Sequence, residues 1–63
     1  MRASDVIGRL RREGFSERPG RGSHVVFQKG ERVVIVSNHR GDIPPGTLRA
    51  ICRQAGWEYP PKR

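Results

Sequence analysis

Two histidines are the residues of this 63-residue chain best suited to proton transfer near neutral pH. His24 follows Gly22 and Ser23 at the start of one apolar stretch, whereas His39 follows the end of the next. If the two stretches form a hairpin, these positions lie at the same end of the sheet, so the two imidazoles are expected to converge. Imidazoles in a basic groove can cleave RNA without a metal, by accepting the ribose 2′-hydroxyl proton and by protonating the leaving oxygen.

A purely structural role remains open for each histidine. The ring of His24 can hydrogen-bond a nearby carbonyl group, and His39 can fix its own loop or pair with Asp42. Ser23 does not form a catalytic pair with His24, because neighbours on a strand point to opposite faces. We take His24 as the candidate catalytic residue and His39 as the candidate second acid or base.

The charge of the chain predicts a polyanionic partner. The net charge is +7, and eleven of the thirteen basic residues are Arg, whose planar fork of donors matches phosphate oxygens. Such a composition favours RNA binding, although a solvated surface, an anionic lipid surface or an acidic protein would also suit it. The candidate RNA-binding residues are Arg18, Arg21, Ser23, Lys29, Arg49 and Arg53.

Several other functional classes lack their sequence signals. The histidines, the lone Cys52 and the acidic residues show no zinc-ligand spacing, and no glycine-rich loop precedes a Lys-Ser or Lys-Thr pair. A single cysteine cannot form an internal disulfide and fits a reducing compartment. No apolar run approaches the roughly 18 residues of a membrane span, and no signal peptide is expected. We therefore expect a cytoplasmic protein without a cofactor, a metal or a membrane partner.

A first helix is predicted over about 4–13, from the spacing of its apolar residues. Ser4 is expected to cap it, Asp5 to complement the helix dipole, and Gly14 to end it. Its apolar stripe comprises Ala3, Val6, Ile7 and Leu10.

A second helix is predicted to begin at Pro44-Pro45 and to end at Gly56, with Trp57 folding back onto the core. Its apolar stripe comprises Leu48, Ile51, Cys52 and Ala55. Arg49 and Arg53 lie four residues apart beside that stripe.

Three strands are predicted between the helices. Residues 15–18 form a weak edge strand before Pro19, whereas 23–28 and 32–37 are rich in β-branched residues. The turn between the last two strands is assigned to Lys29-Gly30.

The alternation of residues also predicts which side chains face the helices. In the second strand we expect Val25 and Phe27 to do so, with His24 on the other face. The run VVIV in the third strand is apolar on both faces, which favours a strand with more than one neighbouring layer.

The simplest fold for this order of elements is an α+β domain with the order α-β-β-β-α. It has a three-stranded antiparallel meander and both helices on one face, which is a minimal double-stranded-RNA-binding-like fold. We assign residues 1–58 to this single domain and 59–63 to a flexible tail.

Four segments together resemble the HicA toxin family of HicA–HicB toxin–antitoxin modules. They are LRREGF at 10–15, GSHVVF at 22–27, VVIV at 33–36 leading to His39, and GTLRAICRQAG at 46–56. The resemblance implies an mRNA endoribonuclease of double-stranded-RNA-binding-like fold. It implies that His24, in the Gly-Ser-His segment, is catalytic, and that a HicB antitoxin binds the toxin and blocks it, so that any oligomer forms through the antitoxin.

Two positions depart from the family pattern. Ser37 replaces the proline that usually stands two residues before the second histidine, so the loop around His39 is expected to be less rigid. The first strand is more polar than is usual in the family, which predicts a weaker sheet edge. A non-catalytic RNA-binding module of the same fold is the alternative interpretation.

Overall fold

A computed structural model of the chain describes residues 1–37 and 41–61. Its elements are α1 (Ala3–Arg12), β1 (Ser16–Pro19), β2 (His24–Lys29), β3 (Arg32–Ser37) and α2 (Pro45–Ala55). The strands form one antiparallel sheet in the order β1-β2-β3. The predicted α-β-β-β-α fold is confirmed. No helix among the described residues is long and apolar enough to cross a bilayer.

The start of α1 differs from the prediction by one residue. The Asp5 carboxylate accepts the backbone N–H of Arg2 at 3.0 Å, so Arg2 is the N-cap and Ser4 lies inside the first turn. The prediction of Ser4 as the cap was therefore wrong, because the third residue of the helix does the capping through its own side chain. The predicted position of Asp5 near the positive end of the helix dipole is confirmed.

Both helices end in a glycine with positive φ followed by a buried aromatic residue. Gly14 has φ 88° and Gly56 has φ 79°, in the left-handed region that favours glycine. The N–H of Phe15 donates to the Leu10 carbonyl at 3.0 Å, and that of Trp57 donates to the Cys52 carbonyl at 2.8 Å. These are Schellman-type endings, and each turns an aromatic ring back into the core, as predicted for Trp57.

The hairpin between β2 and β3 turns one residue later than expected. Lys29 pairs with Arg32, so the turn consists of Gly30 and Glu31 rather than Lys29-Gly30. Gly30, with φ 59°, takes the first turn position. At the other end of the hairpin His24 pairs with Ser37, so β2 begins at the histidine itself.

The helices cover one face of the sheet. Val25 and Phe27 face them as predicted: Phe27 is fully buried and Val25 packs against the core. In β3, Val34 and Val36 are buried, but Val33 and Ile35 are 40% and 50% exposed. The expectation that β3 has layers on both sides was wrong for the described residues, because both helices pack on the same side of the sheet.

The uncovered side of the sheet is called the open face below. Its cross-strand rows follow from the strand register. The residues of the open face are Ser16 and Arg18 from β1, His24, Val26 and Gln28 from β2, and Val33, Ile35 and Ser37 from β3.

Candidate active site

His24 presents its ring at one end of the open face. The side chain is exposed, and Nδ1 lies 2.9 Å from the backbone oxygen of Arg21, which also accepts the His24 N–H at 2.9 Å. A carbonyl oxygen only accepts, so this contact requires the hydrogen on Nδ1. In the neutral ring Nε2 then carries a lone pair and can accept a proton from a bound molecule.

The turn before β2 holds the backbone of His24 in place. The N–H of Gly20 donates to the His24 carbonyl at 2.9 Å. A Cβ on Gly20 would lie 3.1 Å from that carbonyl oxygen and 3.3 Å from the Cβ of His24, tighter than nine in ten real Cβ contacts. Gly22 in the same turn has φ 56°. The lack of a side chain at residue 20 thus lets the turn lie close against the histidine.

Three of the predicted RNA-binding residues lie at the His24 end of the sheet. Arg21 and Ser23 are exposed in the turn that leads into β2. Arg18 is the β1 partner of Val26 on the open face, and it donates to the Gln28 side-chain oxygen at 2.8 Å. Among the described residues, nothing hydrogen-bonds or ion-pairs with the Arg21 guanidinium. Arg21 is therefore available to a phosphate beside His24.

The other three predicted residues lie elsewhere. Lys29 is at the far end of β2, about 16 Å away along the strand, where its Nζ donates to the Glu13 carbonyl at 2.6 Å. Arg49 and Arg53 are exposed on α2, which packs on the covered face of the sheet. The guanidinium of Arg49 lies 5.1 Å from the Tyr59 ring centre. The fold thus separates these three cations from the histidine, and their binding of RNA stays a prediction.

His39 and the residues beside it lie outside the described residues. Its prospective partner Asp42 forms an isolated antiparallel bridge with Arg2. The strand register places Ser37, two residues before His39, opposite His24. Convergence of the two histidines, like the pairing of His39 with Asp42, stays a prediction.

An apolar surface lies next to His24, and the sequence does not predict it as part of the site. Val26 and Ile35 are cross-strand partners on the open face, and we call this pair the apolar floor. With Gly20, Arg21 and His24 it lines a shallow cavity of about 320 Å³. The second apolar face of VVIV is its signal in the sequence, where it predicts a buried layer; the structure leaves Val33 and Ile35 of that face exposed.

A second group of polar contacts lies at the opposite end of the sheet, and we call it the Glu13 cluster: Glu13, Arg9, Trp57 and Lys29. The two carboxylate oxygens of Glu13 accept Arg9 Nε at 2.9 Å and Trp57 Nε1 at 2.8 Å, and Lys29 bonds its carbonyl. The Arg9 guanidinium lies 4.1 Å from the Trp57 ring centre. No local pattern in the sequence indicates this cluster, because Glu13 and Trp57 lie 44 residues apart.

The electrostatics of the Glu13 cluster keep its carboxylate ionised. Partial burial alone would raise the pKa of Glu13, but the hydrogen bonds from Trp57 and Arg9 and the charges of Arg9 and Lys29 outweigh it, so the pKa is lowered. Burial raises the pKa of the Cys52 thiol, although the charge of Arg9 opposes the shift. Cys52 is therefore a core residue with little thiolate.

No three His, Cys, Asp or Glu side chains come together as a metal-binding group within residues 1–37 and 41–61. Comparison with known families gives one match: the family described as the HicA toxin of bacterial toxin–antitoxin systems matches residues 3–57. Among curated proteins, none matches the chain significantly.

Proposed function

This chain belongs to the HicA toxin family, the toxins of bacterial toxin–antitoxin modules, and we propose that it is a metal-independent mRNA endoribonuclease with His24 as its general base. The observation that carries the proposal is the ring of His24, exposed beside Arg21 and anchored through Nδ1 to a backbone carbonyl. That anchor orients the ring and leaves Nε2 as the atom that can accept a proton.

The proposed reaction is an attack of ribose on its own phosphodiester. Nε2 of His24 accepts the proton of the 2′-hydroxyl, and the 2′-oxygen bonds to phosphorus. The bond from phosphorus to the 5′-oxygen of the next nucleotide breaks. The products are a 2′,3′-cyclic phosphate and a 5′-hydroxyl. The RNA gives one proton to His24 and gains one proton at the 5′-oxygen, so its proton count is unchanged.

Negative charge develops on the phosphate oxygens during this attack, and we assign its stabilisation to Arg21. Its guanidinium is exposed in the turn that also anchors His24. Donors held in place before the reaction stabilise such charge without reorganisation. Arg18 and Ser23 supply further donors at the same end of the sheet for the neighbouring phosphates.

We assign to His39 the role of the acid that protonates the leaving 5′-oxygen. The proposal rests on its position in the sequence, two residues beyond Ser37, which pairs with His24. A toxin of this family pairs with an antitoxin. We propose that the antitoxin is HicB-like, that it binds in the cytoplasm and blocks access of mRNA to His24, and that any oligomer forms through it.

The test is an RNA-cleavage assay of the wild-type protein and His24→Ala, with and without EDTA and with the product ends identified. We expect cleavage that EDTA does not affect, products ending in a cyclic phosphate, and a loss of about 10²- to 10⁴-fold in His24→Ala. A folded His24→Ala protein that cleaves at the wild-type rate would refute the assignment, and 5′-phosphate products would refute the mechanism.

The alternative is a non-catalytic RNA-binding module in which the same carbonyl contact holds His24 as a binding residue. A wild-type protein that binds RNA but leaves it intact in both buffers would establish that alternative.

A further inference from the structure

We propose that the apolar floor, Val26 and Ile35, binds the face of an unpaired base next to the phosphate that is cleaved. This inference rests on the proposed function and narrows its substrate to single-stranded RNA at the cleavage point. It starts from an exposed apolar surface that stability does not explain: Ile35 is half exposed on the side of the sheet that neither α1 nor α2 covers.

The position of the floor joins it to the chemistry. Val26 and Ile35 form the row next to the one in which His24 pairs with Ser37. His24, Arg21 and Gly20 complete the cavity of about 320 Å³ around them. A molecule that fills this cavity contacts both His24 and the apolar floor. Contact with the floor removes apolar surface from water, which stabilises the complex.

Charge around the floor matches a nucleotide. Arg18 lies beside Val26 in the same row, and Arg21 and His24 lie along the adjoining edge. The described residues of the open face include no Asp or Glu. A surface that is apolar in its centre and cationic at its rim fits a flat apolar base linked to anionic phosphates.

The aliphatic chemistry of the floor also favours a base that is unpaired and unstacked. Aliphatic side chains offer no hydrogen-bond donor or acceptor, so the floor contacts the face of a base rather than its edge. In an RNA duplex the base faces are stacked on one another and closed to such contact, whereas loops and single strands can splay them out. We therefore expect cleavage of single-stranded RNA, with dependence on the presence of this base and little dependence on its identity.

A matched pair of variants isolates the floor from the rest of the sheet. Ile35→Thr and Val33→Thr both replace an exposed β-branched residue of β3 by another β-branched residue, so the strand propensity is retained. Val33 pairs with Gln28, one row further from His24. Both variants are expected to keep the wild-type unfolding midpoint within error.

The substrate is a single-stranded oligonucleotide with one ribose among deoxyriboses, so that one phosphate can be attacked. Each base that flanks this phosphate is replaced in turn by an abasic residue. We expect Ile35→Thr to slow cleavage of the intact strand about 10-fold and Val33→Thr about 2-fold or less. One abasic position should slow the wild type about 10-fold and slow Ile35→Thr little further, because the two changes remove the same contact.

Binding of the same strands, measured by fluorescence anisotropy, separates this inference from the proposed function. If the wild type cleaves nothing, the proposed function fails. Even then, the inference is supported if one abasic strand binds more weakly than the intact strand to the wild type but not to Ile35→Thr. Equal cleavage and equal binding of intact and abasic strands would overturn the inference. So would an Ile35→Thr variant that cleaves normally but loses its antitoxin, since the floor would then be a protein interface.

Discussion

The two ends of strand β2 differ in whether their basic side chains are engaged by other residues of the protein. At the Lys29 end, the Glu13 cluster engages Arg9 and Lys29 in hydrogen bonds and places Arg9 over the Trp57 ring. At the His24 end, the ring makes its contact with a backbone carbonyl, and the Arg21 guanidinium has no ion pair among the described residues. One end of the sheet stabilises the fold, and the other leaves its donors available to a ligand.

This difference shows why a count of basic residues cannot locate a binding site. Lys29 and Arg21 contribute the same formal charge, but the ammonium of Lys29 binds a helix carbonyl and lies 5.9 Å from the Phe15 ring centre. A domain of this size has roughly 3–9 kcal/mol of stability in total, so contacts like these are a substantial part of it. If the two ends are independent, substitutions in the Glu13 cluster should lower stability, and substitutions near His24 should slow RNA cleavage.

The largest effect is expected at Trp57. Trp57→Ala removes a 91%-buried indole, given its 9% exposure, and should lower the free energy of unfolding by about 3–5 kcal/mol in urea titrations. Trp57→Phe, which removes the donor to Glu13 but keeps an aromatic ring, should lower it by about 1–3 kcal/mol. A Trp57→Ala protein with the wild-type midpoint would show that the Glu13 cluster contributes nothing to stability.

The next effect is expected at Arg21. Arg21→Gln removes the charge but keeps the backbone carbonyl that anchors His24, so kcat/KM for RNA cleavage should fall about 10- to 100-fold. Arg12→Gln removes an equal charge from helix α1, which packs on the covered face of the sheet, and should change kcat/KM about 2-fold or less. Equal losses in the two variants would mean that only overall charge matters and that the site has no local phosphate contact.

A smaller effect is expected at Gly20. An added Cβ must displace the His24 backbone by a few tenths of an ångström, so Gly20→Ala should slow cleavage about 10-fold with little loss of stability. Gly46→Ala is the control, because a Cβ at Gly46 meets no atom within 4 Å. If Gly20→Ala cleaves as fast as Gly46→Ala, the turn does not position His24.

The smallest effect is the pH dependence contributed by Glu13. Because its folded-state pKa is lowered, its contribution to stability is complete above about pH 4.5 and is lost as the pH falls through the lowered value. Glu13→Gln should therefore be less stable than the wild type at pH 6, by under about 1 kcal/mol, and should lose less stability on acidification. A Glu13→Gln protein whose stability falls on acidification as much as that of the wild type would contradict the assignment.

The fold was largely predictable because apolar spacing dictates it. The stripes of both helices, the inward direction of Phe27 and the stops at Gly14 and Gly56 all follow from local patterns. The wrong predictions arose where one local sequence pattern is compatible with two different structures. Ser4 and the Arg2–Asp5 pair both offer a helix start, and an apolar Ile35 fits either a second layer or an exposed surface.

The candidate site could be proposed from the sequence by its residue types, but its geometry came only from the structure. The sequence indicated His24 because few side chains transfer protons at neutral pH, and the neighbouring turn suggested Arg21. The sequence could not show that Lys29 and Arg53 lie away from His24 and Arg21, because their positions depend on which face of the sheet the helices cover. The role of Gly20 was hidden for a similar reason, since its contact with His24 exists only in the folded turn.

The most direct test is to measure RNA-cleavage rate and urea-unfolding midpoint on the same preparations of His24→Ala and Trp57→Phe. We expect His24→Ala to lose cleavage at an unchanged midpoint, and Trp57→Phe to lose stability but to cleave at the wild-type rate where it is folded. A His24→Ala protein with full cleavage activity, or one whose loss of activity follows a loss of folding, would contradict this expectation.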